Sequence, residues 1–67
     1  MYIVINNLYG INDGSKSYYR KQGAGCFDFV NRKQFASDLT AQECEEIKKY
    51  EEWYCKQYKA SHMTIEE

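Results

Sequence analysis

The sequence predicts an α+β domain: an antiparallel three- to four-stranded meander followed by one long C-terminal amphipathic helix packed on one face. Three observations predict it. The first half carries short β-branched and aromatic runs separated by Gly, Asn and Asp clusters. The second half runs about twenty residues without Gly or Pro, behind a capping box. A chain of 67 residues makes one domain, 1–67, with a core one layer deep.

Tyr2 to Asn6 is rich in β-branched residues and reads as the first strand, about 2–6. Asn6 to Ser15 holds Asn-Asn, two Gly and Asn-Asp-Gly, residues that tolerate positive φ, so it is a loop with its tight turn at Asp13-Gly14. Residues 16–22 return as a second strand, which Gly23-Ala24-Gly25 ends. Residues 26–30 form a third, and 34–37 are placed as a short fourth. The helix is expected over about 41–60, with 61–67 as a frayed tail. At its start, the Thr40 hydroxyl accepts from the Glu43 amide while the Glu43 carboxylate accepts from the Thr40 amide. Glu45 with Lys49, and Glu52 with Lys56, add acid-before-base pairs four residues apart.

At 100° per residue, Cys44, Ile47, Tyr54, Cys55 and Tyr58 share one stripe, with Tyr50 at its edge. Trp53 is expected to point away from that stripe, among polar residues, where it contributes nothing to the core and is a candidate interface anchor. Glu51 falls inside the stripe and is expected at its edge, or accepting a hydrogen bond from a Tyr or Arg on the sheet. On the sheet, Ile3, Ile5, Phe27 and Phe29 make the natural core under the helix. Tyr2, Val4, Val30 and one of Tyr18 or Tyr19 are left outside, a partly apolar face suited to a protein partner or a second copy. An edge strand offers the same by strand addition.

Composition is 43 % hydrophobic, 28 % charged and 16 % aromatic, that of a folded chain with ring-rich packing. Five Lys and Arg against two Asp leave residues 1–34 at +3. Four Lys against eight acids leave residues 35–67 at −4. Three widely spaced cysteines, Cys26, Cys44 and Cys55, do not form a disulfide framework, and no apolar run has signal or membrane-spanning length. A cytoplasmic protein is therefore expected. Catalysis, metal and cofactor are not expected. The cysteines and His62 lack ligand spacing, and His62, the one histidine, lies in the terminal stretch expected to be frayed. Gly23-Ala24-Gly25 lacks the rest of a phosphate loop. Glu45-Glu46 and Glu51-Glu52 read as solvated helix surface.

Two further readings concern partners. Lys16-Ser17-Tyr18-Tyr19-Arg20-Lys21 interleaves cations and rings on a strand, with Arg32-Lys33 on a nearby turn, a pattern that suits single-stranded nucleic acid. The acidic pI of about 5.8 argues against it. In its plan (YIVIN, an Asn/Gly-rich loop, YYRK, CFDFV, then LTAQECEEIKKYEEWY) the chain resembles small orphan bacteriophage and prophage proteins, the group that includes anti-CRISPR and host-enzyme inhibitors. The likeness carries over no functional residue. It implies a non-enzymatic inhibitor or adaptor that covers a host protein surface in the bacterial cytoplasm. The expected partner-binding residues are Trp53, Tyr2, Tyr18, Tyr19, Arg20, Lys21, Arg32 and Lys33. A small nucleic-acid-binding domain and a self-assembling structural component are the alternatives.

Overall fold

The computed structural model describes all residues, 1–67. Its strands are β1 (Tyr2–Asn6), β2 (Lys16–Lys21), β3 (Phe27–Val30) and β4 (His62–Glu66), and its helices α1 (Ala41–Lys48) and α2 (Glu51–Gln57). The sheet is antiparallel in the order β3-β2-β1-β4, so the expected α+β class and meander are present. The last strand closes the sheet against the first.

Three expectations are corrected. Residues 61–67 are not a frayed tail: His62–Glu66 pairs along the whole of β1, with Ile5 opposite Met63 and Ile3 opposite Ile65. The helix is not one rod. It ends at Lys48 and restarts at Glu51, because the Tyr50 amide bonds the Ile47 carbonyl, a tightened turn, before the Tyr54 amide resumes the α pattern on Tyr50. Residues 34–37 are not a strand. Lys33–Phe35 is a 3₁₀ turn.

The capping box at Thr40 and Glu43 forms as expected. Neither Glu45–Lys49 nor Glu52–Lys56 forms an ion pair; the helical pair is instead Lys48–Glu51 at 2.9 Å, so Glu51 is partly exposed and held by a helix lysine rather than by a Tyr or Arg of the sheet.

Only seven residues are buried, so the core is thin. Ile3, Ile5 and Met63 from the sheet meet Leu39, Cys44 and the half-buried Ile47 and Tyr54. Each buried aliphatic side chain contributes about 1.5–3 kcal/mol. Register puts Tyr19 with Ile3, Ile5 and Phe29 on the helix side and Tyr18 with Val4 and Val30 on the other.

That other face is not an open apolar surface. Lys33 reaches across it, its Nζ 5.0 Å from the Tyr2 ring centroid, 3.4 Å from a Glu66 carboxylate oxygen and 2.8 Å from the Glu67 carbonyl. Lys33 thus ties the 3₁₀ turn to Tyr2 and to the end of β4, and Val4 on this face is fully buried. The chain then passes to the helix side at the ends of β1 and β2. Ser37 donates its N–H to Tyr19 O and accepts the Lys21 N–H, and the Leu39 N–H bonds the Met1 carbonyl.

Candidate binding cleft

Between the helix face of β1–β3 and the two helices lies a cleft of about 560 Å³ whose twelve lining residues are all apolar or aromatic. Ile3, Ile5, Met63, Tyr19 and Phe29 form its sheet side. Ile47, Tyr50, Trp53 and Tyr54 form its helix side, and Tyr9, Tyr58 and Phe27 complete it.

Two ring clusters brace the cleft. On the sheet, Tyr19 stacks on Phe27 at 5.3 Å, and both meet Phe29 edge-on. At the other end Tyr58 packs on Tyr54 at 5.0 Å and on Tyr9 at 5.8 Å. Trp53 and Tyr50 belong to neither cluster. They are 62 % and 68 % exposed, and Phe27 and Tyr9 are 56 % exposed each. Half of the eight most exposed large hydrophobic side chains therefore belong to one cleft.

Tyr50 is the hinge of the helix side: it lies three residues from Ile47 and from Trp53 and four from Tyr54, so each of them neighbours it on the helical path. The sequence reading that turned Trp53 toward polar residues is corrected to the rim of this side. Phe27, expected in the core, is likewise on the rim.

Tyr9 reaches its place through an unusual backbone. It sits at φ 57°, the left-handed region that non-glycine residues rarely adopt. Its amide donates to the Tyr54 hydroxyl at 3.0 Å, which holds the loop to α2. The next residue is glycine: Gly10 is at φ +76°, where a side chain would be strained, and a Cβ there would meet Tyr58 Cβ at 3.4 Å. Behind it the fully buried Ser61 hydroxyl accepts the Gly10 amide and donates to the Asn7 carbonyl.

Of the expected partner-binding residues, only Trp53 and Tyr19 line the cleft. Tyr2, Tyr18, Arg20 and Lys33 are on the opposite face, Lys21 is at the end of β2, and Arg32 is exposed before the 3₁₀ turn. The cations are largely engaged. Arg20 holds Asp28 through two hydrogen bonds of 2.9 and 2.6 Å, Lys21 holds Glu43, and Lys16 and Lys33 both approach Glu66. With Tyr18 and Tyr19 on opposite faces, the strand does not array rings and free cations on one side.

The Lys21 ammonium, together with the Thr40 amide, pulls the Glu43 carboxyl from 4.5 down to about 2. Arg20 lowers Asp28 in the same way. Burial raises the thiols of Cys44 and Cys55, which keeps them protonated, and Cys55 donates to the Ser61 carbonyl. No three His, Cys, Asp or Glu side chains converge on one point.

Tyr50, Tyr54 and Tyr58 were readable in advance as rings at helical spacing beside Trp53. Tyr9 and Phe27 were not, because a left-handed residue and a strand's rim position depend on tertiary contacts. No helix is long and apolar enough to cross a membrane. No family model, curated protein or solved structure matches the chain.

Proposed function

We propose that this chain is a non-enzymatic binding module that uses the aromatic cleft to cover part of a partner protein, as an inhibitor or adaptor does. The supporting observation is that Trp53 and Tyr50 stand exposed, outside both ring clusters, at the mouth of a cleft without a charged lining residue. Aromatic side chains with this combination of exposure and adjacent apolar space dominate binding energies at protein interfaces. A bacterial host protein is the partner that the phage-like plan implies. The nucleic-acid reading has less to support it, since four of the five cations of the first half face carboxylates.

The test uses a partner captured from bacterial lysate and then purified. Calorimetry compares its affinity for the native chain and for Trp53→Ala. The expected loss is at least about 30-fold, corresponding to about 2 kcal/mol at a hot spot. The thermal midpoint should change by only a few degrees, because Trp53 is 62 % exposed. Undiminished affinity in the variant would remove Trp53, and with it the cleft, from the interface.

A further inference from the structure

β4 is an edge strand, since the order β3-β2-β1-β4 leaves one side of it without a neighbour. Which of its backbone groups face outward follows from the alternation of an antiparallel ladder. The Asn7 amide donates to Ser15 O, on the β2 side. Ile5 and Ile3 therefore also face β2, and Asn6, Val4 and Tyr2 face β4. Their partners His62, Thr64 and Glu66 bond β1. Met63 and Ile65 are left with N–H and C=O directed away from the sheet. Lys48 agrees with this direction, since its Nζ reaches the Met63 carbonyl at 3.1 Å. Ile65 has no such cover, and its side chain is 44 % exposed.

The outward side of this strand is its own complement. An antiparallel copy centred on Thr64 sets Met63 against Ile65 of the second copy, and Ile65 against Met63 of the second copy. These are the residues with outward backbone groups, so both pairs are of the closely bonded kind. Thr64 then meets Thr64 of the second copy as a non-bonded pair, in which side chains approach closest. His62, a ring N–H donor, stands opposite the Glu66 carboxylate of the second copy, which Lys16 and Lys33 of that copy approach at 3.5 and 3.4 Å. The Met63–Ile65 pairs continue the apolar face of the sheet across the axis. The other edge lacks this property: the same operation on β3, through Phe27 and Phe29, opposes Asp28 to Asp28, and like charges directly opposite are unfavourable.

We propose that β4 pairs with β4 of a second copy, joining the two four-stranded sheets into one across a twofold axis. Lys48 guards only one acceptor of the edge. On pairing, the Met63 carbonyl exchanges Lys48 for the Ile65 amide of the second copy, and Lys48 keeps Glu51 at 2.9 Å. The proposal is independent of the cleft and leaves it open.

Sedimentation equilibrium from about 1 µM to 1 mM, a span that covers weak and transient interfaces, tests it on the full chain. The native chain should pass from monomer to dimer. Ile65→Pro removes an amide that β1 does not use and should keep the fold by circular dichroism while abolishing the dimer. Ile65→Lys, which keeps the amide but charges the edge, and His62→Glu, which opposes two carboxylates, should each weaken the dimer at least tenfold. Amide exchange on the native chain adds a reading without substitution: Ile65 N–H should gain protection only at high concentration. A native chain that stays monomeric at 1 mM would overturn the proposal. So would a dimer that survives both Ile65 variants, or one that is lost in Trp53→Ala.

Discussion

At the scale of single residues, Glu43 does two jobs with one carboxylate. It completes the capping box of α1 and holds Lys21 at the end of β2, tying helix to sheet. Its depressed pKa fixes the sign of a pH effect. A carboxyl bound more tightly as the anion in the folded state stabilises the fold above its unfolded value, and that contribution disappears as pH falls. Stability should therefore hold from neutrality down to the ordinary carboxyl value of 4.5 and then decline toward about 2. Asp28 acts in the same direction through Arg20. Thermal melts between those limits should show a shallower decline for Glu43→Gln than for the native chain; an identical decline would remove Glu43 as its source. The capping box was fully legible, because Thr40 and Glu43 are three residues apart and need nothing distant. The Lys21 pair was not, because it joins residues 22 apart.

At the scale of elements, β4 is the largest difference between expectation and structure. His62-Met63-Thr64-Ile65-Glu66 alternates polar and apolar, which is the signature of a half-buried strand. The pattern was present in the sequence, but a short stretch after a long helical run carried no mark of its partner. β1 supplies the partner, and Met63 is buried against Ile5 and Cys44 as a result. Met63→Ala should cost about 2–5 kcal/mol, as deletion of a buried side chain does. Urea unfolding measures it, and a cost under about 1 kcal/mol would show that β4 adds little to the core. The break between α1 and α2 had no marker at all. Neither Gly nor Pro stands at Lys49-Tyr50, and Ile47 and Tyr54, seven residues apart, would share one face of an unbroken helix as well.

At the scale of the whole molecule, the thin core gives weight to a few buried polar contacts. Ser61 is fully buried, and its hydroxyl joins the loop after β1 to the start of β4 by bonding Asn7 and Gly10. Ser61→Ala removes both bonds while nearly preserving volume, and leaves the Gly10 amide and the Asn7 carbonyl each without that partner. A loss of about 1–3 kcal/mol is expected, larger than that for Trp53→Ala. A urea series on the two variants orders them, and the reverse order would mean that Trp53 belongs to the core. The fold class was legible because the β-branched and aromatic runs before Asp38 give way to a helical period after it, although the strand that follows the helices was not. The cleft was legible only in part: the helix rings show their spacing, while Tyr9 enters by a left-handed backbone and Phe27 by the height of β3.

The pairing of β1 with β4 has a consequence for the order in which the chain can fold. Tyr2 lies opposite Glu66, so the most buried strand acquires one of its two neighbours from residues about sixty positions later. Contacts of such long separation slow folding, since the intervening chain must be ordered before they form. Until the helices and β4 have formed, Tyr2-Ile3-Val4-Ile5 has an uncovered edge. The run is apolar and β-branched, without charge or proline to interrupt it, so it is the segment in most need of shielding before β4 docks. The absence of proline removes the commonest slow step of refolding from these residues.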